Sequence, residues 1–209
     1  MRKIGIMGGT FDPIHIGHLM LAEWALDAAA LDKVWVIPTG QSYMKADREM
    51  LPGAERLHMT ELAIEGNDRL QCLDLEIKRE GYTYSYETMA ELKSLYPEDI
   101  FYFIVGADCL FSIENWKCPE RLFQDCTILA AVRDDVDMQA LEIKRKELLK
   151  KFGGEILLIS FPRMSISSTE VRNRMMEGKS VRYMVPDKVI EYIQEKGYYH
   201  ESEKGKAGK

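Results

Sequence analysis

Short apolar runs alternate with stretches of helical spacing along most of this chain, and that alternation limits its fold more than any other feature. Lys3 to Met7, Val34 to Ile37, Leu70 to Ile77, Ile100 to Val105, Thr127 to Val132 and Ile156 to Phe161 read as strands. Helical spacing covers His18 to Ala30, Pro52 to Glu65, Ser85 to Leu95, Asp108 to Phe123, Met138 to Phe152, Ser168 to Glu177 and Asp187 to Lys196. Strands separated by helices need crossover connections, which build a mostly parallel sheet covered on both faces. The expected class is therefore α/β, a doubly wound, mostly parallel sheet with helices on both faces. Residues 1–200 are expected to form one domain, and 201–209, poor in apolar groups, a flexible tail. Ligands of such sheets bind beyond the carboxyl ends of the strands, where strand order reverses. The loops to read are those after Met7, Ile37, Val105, Val132 and Phe161.

Composition narrows the function. Hydrophobic residues make up 46% of the 209 positions and charged residues 30%, a balance suited to a packed core. Acidic residues outnumber basic ones, 34 to 28, for a net charge of -6, so nucleic acid is not an expected partner. No apolar run reaches the roughly 18 residues of a membrane span. The first residues run into a strand rather than a signal peptide, and the expected location is cytoplasmic. Cys72, Cys109, Cys118 and Cys126 lack C-x-x-C spacing and a nearby histidine pair, so reduced thiols are expected and no metal held by the chain.

The first strand ends in Gly8-Gly9-Thr10-Phe11-Asp12-Pro13-Ile14-His15-Ile16-Gly17-His18. Paired glycines let a ligand approach the backbone, and the helix that follows offers unpaired N–H groups and a positive dipole end. His15 and His18, three residues apart, can place both imidazoles on one side of that helix start. Imidazole donates to phosphate oxygens in either protonation state, which suits a polyphosphate. The rival phosphate motifs G-x-x-x-x-G-K-[ST] and G-x-G-x-x-G are absent, as are G-x-S-x-G and H-E-x-x-H.

His15-Ile16-Gly17-His18 resembles the H-x-G-H signature of the nucleotidyltransferase superfamily, whose fold is Rossmann-like. The distal Ile166-Ser167-Ser168-Thr169-Glu170-Val171-Arg172 resembles its I-S-S-T-x-x-R partner motif. Gly106-Ala107-Asp108-Cys109-Leu110 with Trp116, and Tyr82 to Thr88, are similar to segments of the nicotinate-nucleotide adenylyltransferases. That resemblance spans about Lys3 to Tyr198 and implies adenylyl transfer from ATP to nicotinate mononucleotide, with ATP and that mononucleotide as partners. It implies catalytic roles for His15, His18 and Arg172. For ATP it implies Gly8, Gly9, Thr10, Phe11 and Gly106, together with Ile166, Ser167, Ser168 and Thr169. For the acceptor it implies Asp108 on a ribose hydroxyl, Trp116 stacked on the pyridine ring, Thr83 or Tyr84 near the nicotinate carboxylate, and Lys45 and Arg133 on phosphate. Each has a plainer alternative: a helix cap for Asp108, core packing for Trp116, an aromatic helix start for Thr83 and Tyr84, solvated cations for Lys45 and Arg133. The family's P-P-H-K stretch is replaced here by Ser42-Tyr43-Met44-Lys45, which keeps the lysine and drops the histidine.

Mg2+ is expected to arrive with ATP, held mainly by phosphates and water, because few spare carboxylates cluster in the sequence. Phosphopantetheine adenylyltransferase shares both outer motifs and is the nearest alternative enzyme; a non-catalytic nucleotide sensor is the alternative of another class. The sequence leaves acid against amide acceptor open, and is compatible with a homo-oligomer. Its firmest spatial expectation is that the two motifs, from opposite ends of the chain, meet around one triphosphate.

Overall fold

The computed structural model describes residues 1–42, 50–133 and 137–200. In chain order its elements are β1 (Lys3–Gly9), α1 (Ile16–Ala28), β2 (Lys33–Pro38), β3 (Gln41–Ser42), α2 (Gly53–Ile64) and β4 (Leu70–Cys72). Then come β5 (Tyr82–Thr83), α3 (Ser85–Leu95), β6 (Ile100–Gly106), 3-10 turns at Ala107–Phe111 and Ile113–Asn115, α4 (Pro119–Asp125) and β7 (Thr127–Val132). The last are α5 (Met138–Phe152), β8 (Ile156–Ser160), α6 (Ser168–Met176) and α7 (Asp187–Lys196). Six strands form one parallel sheet in the order β4-β2-β1-β6-β7-β8. The chain lays strands outward from β1 in one direction, then returns to β6 and proceeds in the other. The reversal falls between β1 and β6, which is where such sheets bind ligands.

Alternating side chains split the core into two layers. On one face Met7, Leu129 and Ala131 pack with Ala22 and Leu26 of α1, Met59 of α2, Val171 of α6 and Ile193 of α7. On the other, Ile4, Ile6, Ile128 and Ala130 meet Met89 of α3, Phe123 of α4, and Leu141 and Leu148 of α5. The expected doubly wound α/β class is the observed one. Among the described residues no helix is long and apolar enough to cross a membrane.

Three expectations are corrected. The strand read over Leu70 to Ile77 stops at Cys72, and residues 75–77 turn, with Lys78 N–H reaching the Asp74 carbonyl at 3.0 Å. Leu73 and Leu75 made the alternation because they pack on the second core layer, not because they lie in a sheet. The helix read over Asp108 to Phe123 is broken into two 3-10 turns and α4. Pro119 starts α4 at the position where a missing N–H costs nothing, and Cys118 before it takes φ +47°. Finally, α1 begins at Ile16, so His15 rather than a later residue caps it. The small β3–β5 pair, two residues per strand, is too short to leave a pattern.

Candidate active site

A Cβ added at Gly8 or at Gly106 would meet nothing within 4 Å, so the backbone at the ends of both central strands borders open space. After β1 the chain turns at Phe11 (φ +49°), passes a cis Asp12–Pro13 bond and reaches His15 in extended conformation. The His15 N–H donates to Nδ1 of His18 at 3.2 Å. A neutral His18 ring therefore carries its proton on Nε2, a donor. The two imidazoles stack, centroids 3.6 Å apart and 23° between planes, and the Phe11 ring stands edge-on to His18 at 5.0 Å. His15 is only 5% exposed, and burial pulls its pKa from 6.5 to about 4, which keeps it neutral near pH 7.

The distal motif closes on this loop. Ser167 caps α6, its Oγ accepting from the Glu170 N–H at 3.1 Å. Ser168 Oγ donates to the Pro13 carbonyl at 2.9 Å. The Arg172 guanidinium donates to the Asp12 carbonyl and, at 3.0 Å, to Thr169 Oγ1. A cavity of about 450 Å³ lies between the two motifs. Thr10, His15 and His18 line one side, and Ile166, Ser167, Ser168, Thr169 and Arg172 the other. The expected meeting of the two ends is thus present. Phe11 is buried behind His18 and lines neither this cavity nor the next.

A second cavity of about 330 Å³ adjoins the first and shares Thr10, Leu21 and Gly106 with it. Gly8 and Gly9 line this second cavity rather than the first. So do Thr83, which is buried, and Tyr84, which precedes α3 and brings the start of that helix to the cavity wall. Trp116 lines it too, edge-on to Phe103 at 6.2 Å and 83°, with its Nε1 buried and without a protein partner. Asp108 stands outside both cavities and is ion-paired with Arg133, whose side chain lines the first. Lys45 lies outside the described residues. Among the described residues no three His, Cys, Asp or Glu side chains gather to hold a metal. The four cysteines are free thiols.

The cytidylyltransferase-like family model matches residues 6–174. A probable nicotinate-nucleotide adenylyltransferase of Lachnoclostridium phytofermentans is 42% identical over 199 residues, 95% of this chain and 100% of the relative. One from Dehalococcoides mccartyi is 41% identical over 202 residues, 95% of this chain and 97% of the relative. The chain belongs to the nicotinate-nucleotide adenylyltransferase branch of the cytidylyltransferase-like family. The solved structure of Plasmodium falciparum nicotinic acid mononucleotide adenylyltransferase complexed with NaAD shares the fold of this family member. Its TM-score is 0.76 at 24% identity, over 95% of this chain and 98% of that one.

Sequence reasoning missed four residues that shape this adenylyltransferase-family site. Arg56 is 3% exposed and donates to the carbonyls of Thr10 (2.7 Å), Thr39 (2.8 Å) and Leu51 (3.0 Å), tying the loops after β1 and β2 together. Nothing in its helical surroundings separates it from an ordinary solvated arginine. Glu76, also buried, accepts from Thr88 Oγ1 at 2.8 Å beside the second cavity, and the misread strand concealed it. Asp12 and Tyr199 meet at 2.6 Å across 187 positions, a pairing that no local pattern announces.

Proposed function

We propose that this chain transfers the adenylyl group of ATP to nicotinate mononucleotide, giving nicotinate adenine dinucleotide and pyrophosphate, a step of NAD synthesis. The observation that carries the reading is the bond from Ser168 to Pro13, with Arg172 beside it, which closes the two motifs around one cavity. The first cavity then takes the triphosphate, against His15, His18, Arg172 and the hydroxyls of Ser167, Ser168 and Thr169. The second, more enclosed and partly aromatic, takes the mononucleotide, with Trp116 on the pyridine ring and Thr83 and Tyr84, which lead into α3, on its carboxylate. The shared wall at Thr10 and Gly106 is where the reacting groups meet, with Gly8 and Gly9 on the mononucleotide side of it.

In the reaction a phosphate oxygen of the mononucleotide forms a bond to the α-phosphorus of ATP, and the bond to the β,γ-diphosphate breaks. The nucleophile is already anionic, so no base has to remove a proton. Repulsion is the obstacle: two unit charges about 4 Å apart cost about 4 kcal/mol at an effective dielectric near 20. His18 Nε2, Arg172 and Arg133 oppose that repulsion, and Lys45 adds a further cation. Each donor aimed at developing charge contributes about 3–4 kcal/mol, and in-line alignment about 7–11 kcal/mol. Asp108, paired with Arg133, exchanges that partner for a ribose hydroxyl when the mononucleotide binds.

Mg2+ would neutralise charge on the triphosphate. That ion would be held mainly by phosphates and water. We place the reaction in the cytoplasm, with residues 1–200 acting as one nucleotidyltransferase domain, alone or as a homo-oligomer, and without nucleic acid.

The test is pyrophosphate release from ATP with nicotinate mononucleotide, its amide counterpart and phosphopantetheine in parallel. Release with the acid mononucleotide at the highest kcat/KM is the expected result. Release only with phosphopantetheine selects the other enzyme, and nucleotide binding without release a sensor.

A further inference from the structure

Tyr199 lies beyond residue 174, where the family match ends, yet its side chain reaches back to the first loop. α7 closes at Gly197 with φ +67°, and the N–H groups of Gly197 and Tyr198 return to the carbonyls of Gln194 and Ile193 at 3.2 and 3.0 Å. Tyr199 then takes φ +57° itself, a region a side-chain-bearing residue occupies only where its surroundings hold it. Two left-handed residues out of three reverse the chain, and the Tyr199 hydroxyl donates to Asp12 Oδ1 at 2.6 Å. The helix behind this turn is anchored on α2, through Tyr192 to Glu55 at 2.6 Å and Lys188 to Glu65 at 2.5 Å.

Asp12 is 3% exposed, and a buried carboxylate requires partners. Its Oδ2 lies 3.9 Å from Arg172 Nη1, and its carbonyl accepts from the same guanidinium. Two residues earlier, Arg56 holds the Thr10 carbonyl from α2. The corner that leads into His15 and His18 is therefore gripped from α2, from α6 and from the turn after α7.

We propose that Tyr199 is a positioning residue for the ATP cavity: through Asp12 its hydroxyl holds the first loop where His15 and His18 face the triphosphate. It lines neither cavity, so its effect passes through the loop. The proposal rests on reading the first cavity as the ATP site.

Tyr199→Phe removes the hydroxyl alone. Calorimetric affinity for a non-hydrolysable ATP analogue, measured without acceptor, is expected to fall about three- to tenfold, the scale of one hydrogen bond. The KM for ATP rises by a similar factor, while the acceptor KM and the melting temperature hold. In the Asp12→Ala background, which leaves the hydroxyl no side-chain acceptor, adding Tyr199→Phe weakens the analogue no further, because the hydroxyl acts through that carboxylate. Unchanged analogue binding in Tyr199→Phe overturns the proposal, and so does full additivity with Asp12→Ala. Equal weakening of both substrates together with a lower melting temperature also overturns it, since that pattern is general loss of packing. An unsubstituted chain that binds no analogue removes the proposal along with the ATP reading. Failure with nicotinate mononucleotide alone leaves the analogue measurement to decide.

Discussion

His15 and His18 are the same residue type at the same helix start, yet the structure gives them different chemistry. His15 is buried with its imidazole pulled down to about 4, whereas His18 accepts the His15 N–H on Nδ1, which leaves Nε2 as the donor of its neutral ring, and lines the first cavity. An unfolded histidine titrates near 6.5, so between pH 6.5 and 4 the unfolded chain holds the extra proton. Stability from this group is complete above 6.5 and is lost as pH falls through that window, at about 1.4 kcal/mol per pH unit. Urea unfolding at pH 7 and pH 5 should show the unsubstituted chain losing about 2 kcal/mol more than His15→Asn, which keeps a capping residue without the titration. Equal losses would mean that His15 is not held neutral. His18→Ala should instead lower kcat by about a hundredfold or more, the worth of one donor to transition-state charge, with a smaller loss of about 1 kcal/mol in unfolding free energy for the bond to the His15 N–H. Near-normal turnover in a steady-state assay would remove His18 from the chemistry.

At the scale of elements, the parallel strands and most helices were legible because each carries a period that its own packing imposes. Met138 to Phe152 and Asp187 to Lys196 appear with the bounds their apolar spacing implies. Residues 73–84 and 107–118 were less legible, because their apolar residues serve packing between loops rather than a repeat along one element. Thr88 and Glu76 show why. Thr88 Oγ1 donates to Glu76 at 2.8 Å and accepts from Arg79 at 3.1 Å, so a turn and the first part of α3 are fastened by side chains twelve positions apart. Thr88→Val removes both bonds and leaves a carboxylate of 6% exposure without that donor. It should cost about 2 kcal/mol in chemical denaturation. It should also raise the acceptor KM more than the ATP KM, because Tyr84 and Ser85 at the start of α3 line the second cavity. An unaltered denaturation midpoint would show the network to be idle.

Over the whole molecule, the site exists because the chain after the edge strand β8 returns toward the central strands, bringing Ser168 and Arg172 onto the loop after β1. The two motifs could be read in the sequence since each keeps its residues within one loop and helix start. The ties that hold them, Arg56 to Thr10 and Tyr199 to Asp12, could not, since each joins elements that only the complete fold makes adjacent. Arg172 tests this long-range closure most directly. Its planar fork bonds the Asp12 carbonyl and Thr169 Oγ1 at once, spanning 160 positions on one side and three on the other. Lysine keeps the charge but has no rigid fork with which to bridge both acceptors. Arg172→Lys should therefore lower kcat/KM for ATP by about tenfold or more, as charge without bidentate geometry loses at least one charge-assisted bond. The acceptor KM should stay near its original value, because Arg172 lines only the first cavity. A defect confined to the acceptor would assign the distal turn to the other substrate and reverse the division of the two cavities.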